Sequence, residues 1–263
     1  MKLAVAQIRS TTDPPANLAL VREHAGRAAG LGAEVVIFPE AAMCSFARRP
    51  DAVAEPWDGP WASGVRKIAA ELGVVVAVGL FTTAAGERVT NSLLVTGPGV
   101  EARYDKIHLF DALGYRESER IAPGTEPVVV EIGGVKVGLA ICYDIRFPAL
   151  FTQLARSGAE VIVVPASWAP GPDKVHQWRT LATARAMDST CFVVGCGQAR
   201  PAGAEDSRPT GVGHSLVVDP LGRVLLELGD EPDLAVIDVD PAEVVAARKA
   251  MPVLRNARTF GDS

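Results

Sequence analysis

Histidine and cysteine are scarce in this chain, four of each in 263 residues. His24, His108, His176 and His214 are dispersed and lack ligand spacing, which argues against a metal site and against a histidine-based triad. Cys44, Cys142, Cys191 and Cys196 are scattered as well. Cys191 and Cys196 stand close together, but in a strand-like run with no histidine beside them. Basic charge is also in deficit, with a net charge of −5. That balance leaves no footprint for nucleic acid or for an anionic membrane surface. The opening MKLAVAQIRS meets Arg9 after too short an apolar run for a signal-peptide core or a membrane span. The expectation is a cytoplasmic protein with reduced thiols. What the chain does have is apolar mass, 48% of its residues, ample for a large core in a single 1–263 domain.

Strand-like and helix-like runs alternate. Leu3–Ile8 reads as a strand, and 14–31 as a helix opened by Pro14 or Pro15. AEVVIF at 33–38 is a buried strand stopping at Pro39-Glu40. Residues 60–72 are helical, 74–81 form another strand, and 91–96 with 100–104 make a hairpin across GPG. A loop-rich stretch, 105–127, leads to the strand 135–141, whose Gly138 leaves room for close packing. The second half then repeats the first: AEVVIFPEAA (33–42) returns as AEVIVVPASW (159–168), and VTNSLLVTGPGV (89–100) as VGHSLVVDPLGRV (212–224). VVVAVGLFTTAAG (74–86) matches CFVVGCGQARPAG (191–203) more loosely, and LAVAQIRSTTDP near the start matches VGLAICYDIRFP (137–148). Continuous apolar strands need both faces covered. The fold class expected is therefore α/β, a four-layer α-β-β-α sandwich of two sheets with internal pseudo-twofold duplication. A single doubly wound sheet is the alternative, which the two hairpins fit poorly. Beyond helix 241–250 the tail 250–263 is irregular and is expected to pack on a partner subunit, in a homodimer or higher homo-oligomer.

The chemistry is expected where the halves differ. At matching strand ends the first half has Pro39-Glu40 and the second Pro165-Ala166; the first has Gln7 where the second has Cys142. A thiol at the carboxyl end of a strand, before a helix starting near Pro148, sits where open α/β sheets keep their reactive groups. A carboxylate beside it supplies the base that a thiol nucleophile needs. Lys106, in RYDKIHLFD, can stabilise an oxyanion and draw the thiol toward thiolate. Glu117 is a second carboxylate in the same loop-rich stretch. Each of these residues also has an ordinary reading: a packed thiol, a solvated lysine, exposed loop carboxylates.

FPE at 38–40, DKIHLFD at 105–111 and GLAICYDIRFP at 138–148 resemble the nitrilase superfamily of carbon–nitrogen hydrolases, in order and over essentially the whole chain. Through KIHLFD, Glu117-Ser118 and CYDIRFP the chain most resembles the branch of omega-amidases and deaminated-glutathione amidases. The resemblance implies a triad of Glu40, Lys106 and Cys142, a second glutamate at Glu117, and the same sandwich. Members of the branch commonly carry a Gly-Pro-Ala-His-Trp segment after the second-half strand. Here the segment is GPDKVHQW (171–178), which keeps Gly171, Pro172, His176 and Trp178 around an altered interior, a change that bears on the substrate and not on the nucleophile.

The activity expected is amide hydrolysis through a Cys142 thioester, with ammonia released from a small carboxylate-bearing amide and no metal or organic cofactor. The backbone N–H of Tyr143 is expected to join Lys106 at the oxyanion. Arg146, with a planar fork suited to a carboxylate, either binds substrate or makes a structural ion pair with Asp144 or another acid. Trp168 is a pocket wall or a plain core aromatic. Asp144 and the Tyr143 ring read as structural, Arg185 as a tie from helix to sheet, and His24 as a surface residue. A nitrilase or N-carbamoyl hydrolase on the same scaffold is one alternative; a catalytically silent binding protein is another.

Overall fold

The computed structural model describes residues 1–201 and 211–258. The first half runs β1 (Lys2–Gln7), α1 (Pro14–Gly30), β2 (Val35–Ile37), α2 (Pro60–Leu72), β3 (Val75–Thr83), β4 (Val89–Gly97) and β5 (Val100–Asp105). A short hairpin, β6 (Asp111–Ala112) and β7 (Tyr115–Arg116), leads into the second half. There follow β8 (Val128–Ile132), β9 (Val135–Leu139), α3 (Pro148–Arg156), β10 (Val161–Ala166), α4 (Lys174–Ser189), β11 (Phe192–Gly197), β12 (Leu216–Val218) and β13 (Val224–Glu227). β14 (Asp233–Asp238), α5 (Pro241–Ala250) and α6 (Val253–Asn256) close the chain.

Proline at the first helical position starts α1, α2, α3 and α5, where its missing N–H costs nothing and its fixed φ suits the helix. Asp240 caps α5 through the Ala242 N–H. Gly73, at a φ of 66°, ends α2 in the left-handed conformation glycine tolerates.

The strands form two six-stranded sheets, β14-β1-β2-β3-β4-β5 and β8-β9-β10-β11-β12-β13. Read in that direction the sheets are alike: β1, β2 and β3 are parallel, as are β9, β10 and β11, and the flanking pairs are antiparallel in both. The outer strand of the first sheet, β14, comes from the far end of the chain, whereas its counterpart β8 directly precedes β9. Side-chain alternation sets the layers. Leu3, Val5, Val35 and Ile37 belong to the core shared with the second sheet, while Ala4, Ala6, Val36 and Val76 pack under Val21 of α1 and Trp61 and Val65 of α2. On the opposite side Leu150, Phe151 and Leu154 of α3 and Trp178 of α4 cover the second sheet. Each fully buried aliphatic contributes about 1.5–3 kcal/mol, which offsets the entropy of ordering these short strands. The architecture is the four-layer α-β-β-α sandwich, not a single sheet.

Gly138 has the close contact expected of it: a Cβ there would meet the Leu154 and Ala159 Cβ atoms at 3.2 Å. In the tail through residue 258, α6 lies against α4 and Leu254 against the core; residues 259–263 are outside the described residues. One expectation is corrected. His24 is buried, its Nδ1 3.0 Å from the Leu20 carbonyl of its own helix. Arg185, buried, pairs with Asp188 within α4. No helix among the described residues is long and apolar enough to cross a membrane.

Candidate active site

The acid and the thiol both stand on strained turns just past strand ends. After β2 the chain turns through Pro39 and Glu40 into Ala41, at a φ of 57°. Gly79 of β3 makes room for this turn, since a Cβ there would lie 2.8 Å from Glu40 Cα and from Ala41 N. After β9, Cys142 opens a one-turn 3-10 segment (Cys142–Arg146) at a φ of 46°. A left-handed non-glycine residue costs about 1–3 kcal/mol and persists only where its surroundings over-determine it.

For Cys142 the determining group is Asp144, fully buried. Its carboxylate accepts from Ile141 N at 2.8 Å, from Tyr104 Oη at 2.7 Å and from His108 N at 3.0 Å, and meets His108 Nδ1 at 2.8 Å. Tyr104 and His108 flank Lys106 by two residues on either side, so one carboxylate ties the thiol's turn to the lysine's strand. The Asp144–Arg146 pair left open by the sequence is not formed. Asp144 is occupied elsewhere, and Arg146 donates instead to Gln177 Oε1 at 2.7 Å.

Glu40, Lys106 and Glu117 interlock, each no more than 2% exposed. Lys106 Nζ donates to Glu40 Oε1 at 2.8 Å and to the two Glu117 oxygens at 3.1 and 2.9 Å. The second Glu40 oxygen accepts from the Ser167 N–H at 2.8 Å, a bond from the opposite half of the molecule. Glu117 stands on the 3-10 turn Glu117–Glu119 inside the loop-rich stretch and also accepts from Phe110 N at 2.7 Å. Burial works against the Lys106 charge, but Glu117 and Glu40 together hold its ammonium well above the ordinary lysine value. The Cys142 thiol lies against the Glu40 carboxylate. Burial first, then the Glu40 charge, push it well above the usual thiol range, with Lys106 opposing. Two carboxylates against one ammonium leave this buried cluster net negative, which favours a protonated resting thiol.

The seven residues singled out from the sequence, Glu40, Lys106, Glu117, Cys142, Tyr143, Arg146 and Trp168, line one cleft. Phe46, Phe110 and Tyr115 add aromatic wall. Trp168 is both wall and core: it lines the cleft, and its ring leans on Trp178 with centroids 5.3 Å apart. Among the described residues no group of three or more His, Cys, Asp and Glu side chains is arranged to hold a metal ion.

Two members of the site were missed. Asn91, fully buried on β4, donates from Nδ2 to Glu40 Oε1 at 2.8 Å and to Glu117 Oε1 at 3.0 Å, bridging two like charges. Among the described residues its Oδ1 is buried without a partner, because turning the amide would set an oxygen against two carboxylates. The signal was available, since the second half has His214 where the first has Asn91. Lys174, inside the altered GPDKVHQW segment, also lines the cleft. One expected correspondence is off by a residue. Leu3 pairs with Val35 and Val137 with Val161, at the same place in the repeat, so Gln7 falls on Ile141 and Ile8 on Cys142. Gln7 instead joins strand to loop, donating to Gly229 O at 2.9 Å and accepting from Ser215 N at 2.9 Å.

A four-layer sandwich with an acid, an ammonium and a thiol at the paired strand ends describes a hydrolase scaffold. The chain belongs to the carbon–nitrogen hydrolase family, whose model matches residues 2–249, and within the nitrilase superfamily to its amidase branch. It is 54% identical to a hydrolase of Mycobacterium tuberculosis, over 99% of this chain and 96% of that one. It is 33% identical to the deaminated glutathione amidase of Mus musculus, over 97% of this chain and 83% of that protein. Among solved structures it is similar to a mutant of the amidase from Nesterenkonia sp. AN1 that shows covalent addition of the acetamide moiety of fluoroacetamide at its active-site cysteine. The TM-score is 0.81 and the identity 29%, with 97% of this chain and 96% of that one covered.

Proposed function

We propose that this protein hydrolyses the amide bond of a small carboxylate-bearing substrate through a thioester on Cys142. The observation that carries the reading is the strained Cys142 turn facing Glu40, a carboxylate already oriented by Lys106, Asn91 and the Ser167 N–H. Because the resting thiol is neutral, proton removal and attack are coupled. Glu40 takes the thiol proton as Sγ bonds to the carbonyl carbon. Lys106, whose charge is secured by Glu117, and the Tyr143 N–H stabilise the oxygen of the tetrahedral adduct. On collapse the C–N bond breaks, and Glu40 returns the proton to the departing ammonia. Water, deprotonated by Glu40, then cleaves the thioester and regenerates the thiol. Arg146 receives the substrate carboxylate. Relatives named as amidases support amides over nitriles or carbamoyl compounds.

The test is ammonia release from a panel of small amides, nitriles and N-carbamoyl acids, with intact-mass detection of an acyl adduct on Cys142. Carboxylate-bearing amides should be the preferred substrates. Turnover of nitriles or carbamoyl compounds alone would replace this reading. No turnover, together with a Cys142 alkylated no faster than an ordinary thiol, would leave a silent binding protein.

A further inference from the structure

We propose that Gln198, together with Ser10, is a positioning residue for the reaction: its side-chain amide locks the strained turn that carries Glu40 and so aims the Glu40 carboxylate at Cys142. This rests on the amidase reading above, in which Glu40 is the base, and adds to it a residue from the opposite half of the molecule.

Gln198 stands one residue past β11 and is buried. Its Nε2 donates to the Glu40 carbonyl at 3.0 Å and to Ser10 Oγ at 2.7 Å, and its Oε1 accepts from Ser10 N at 3.0 Å. Ser10 Oγ in turn donates to the Ala42 carbonyl at 3.3 Å. The two side chains therefore hold the carbonyls on both sides of Ala41, the residue at a φ of 57°. An alanine keeps that conformation only where its neighbours impose it. Turning the Gln198 amide over would set its oxygen against the Glu40 carbonyl and its nitrogen against the Ser10 N–H, so the partners fix one orientation. The backbone of Gln198 is anchored too, its N–H donating to the Ala166 carbonyl at 2.9 Å. That carbonyl belongs to the same peptide unit as the Ser167 N–H, which donates to Glu40 Oε2 at 2.8 Å. The second sheet thus grips Glu40 at both ends, the carbonyl through Gln198 and the carboxylate through Ser167.

The halves differ here as well. Val75 pairs with Val35 as Phe192 pairs with Val161, and Val35 and Val161 hold the same place in the repeat, so Gln198 falls on Phe81. Phe81 is an apolar core residue, clustered with Ala41 and set against the Phe46 ring with centroids 5.4 Å apart. One strand end packs the turn and the other hydrogen-bonds it. Packing fills space, whereas a bond to the Glu40 carbonyl fixes direction. Direction matters for a base, since a misplacement of about 1 Å costs on the order of a hundredfold in rate.

The experiment is a double-mutant cycle on the full chain, with Gln198→Met, which keeps the length and removes the amide, and Glu40→Gln. With Glu40 in place, Gln198→Met should lower kcat for a small amide about tenfold to a hundredfold at a KM within about twofold. In the Glu40→Gln background the same change should move kcat by no more than about twofold, because the group it positions is already gone. If Gln198→Met does not fold, Ser10→Ala takes its place, with a fall of about threefold to tenfold and the same dependence on Glu40. A kcat within about twofold of the unmodified enzyme in the Glu40 background would overturn the proposal. So would equal falls in both backgrounds, which mark an amide that only stabilises the fold. Failure of the amidase reading shows separately. If no amide is turned over, the cycle is read on alkylation of Cys142 by iodoacetamide at neutral pH, followed by intact mass. A rate that falls in Gln198→Met only while Glu40 is present keeps the positioning role and drops the reaction assignment; a rate indifferent to Gln198 overturns both.

Discussion

The two halves of the sandwich share a strand order and differ where strands end. After β2 the first half has Pro39-Glu40; after the same strand of the second half, Pro165 is followed by Ala166. Past β9 stands Cys142, and past β1 the matching residue is Ile8, buried in the core under the helices. On β4 Asn91 bridges two carboxylates, whereas His214 faces Glu227 on the surface, 3.1 Å away. A duplicated scaffold supplies two equivalent sets of strand ends. Chemistry arises because each half keeps what the other lacks and the sheets bring the two together, as the Ser167 N–H on Glu40 shows.

The comparison breaks most sharply at the nucleophile. Cys142→Ala should lower kcat by roughly 10⁶-fold with an unchanged melting profile. Ile8→Val, at the matching place, should cost about 1 kcal/mol of stability by denaturant titration and leave kcat alone. Equal effects on activity would deny the asymmetry. Next, Glu40→Gln should reduce kcat by about 10²–10⁴-fold, the usual worth of a general base, with an intact fold by circular dichroism; a variant retaining about a third of the activity would remove Glu40 from proton transfer. Asn91→Ala should lower kcat about tenfold to a hundredfold at constant KM, because two carboxylates lose a shared donor. The corresponding His214→Ala should change neither constant.

The smallest effect concerns the four thiols. Burial pushes Cys44, Cys142, Cys191 and Cys196 all above the ordinary thiol value. The folded chain therefore holds these protons more tightly than the unfolded one. Their contribution to stability is full below about pH 8.5, where unfolded thiols begin to ionise, and is lost as pH rises through the raised folded values. The melting temperature should fall as pH rises from about 8.5 to about 10.5. The fall should be less steep in Cys196→Ala, whose thiol lies between the sheets 3.2 Å from the Ile37 carbonyl. A flat profile would refute this. Among the described residues no carboxylate acts on Cys196, so the comparison separates what burial does to a thiol from what Glu40 does.

Much of this was legible in the residue pattern. Continuous apolar strands, prolines opening helices and a repeat with two hairpins led to two sheets with helices outside. FPE, DKIHLFD and CYDIRFP singled out the triad. The sixth strand of the first sheet was not legible, because β14 pairs with β1 from the other end of the chain, and no local signal carries that pairing. Asn91 read as the first residue of a strand and Lys174 as part of the altered GPDKVHQW segment, and the significance of both lies in neighbours far away in sequence. The short α6 was not legible either, because irregular sequence says nothing about the surface on which it comes to rest.

Local chemistry alone determined which segments would be strands or helices, and that an acid, an amine and a sulfur stood just beyond strand ends. Periodicity and turn residues act over a few positions, which is why they can be read from the order of residues. Tertiary structure alone decided the pairing of β14 with β1, the Asp144 bonds that hold the strained thiol turn, and the meeting of Arg146 and Lys174 on one indole. Those depend on distances between atoms remote in the chain, which exist only once both sheets have packed.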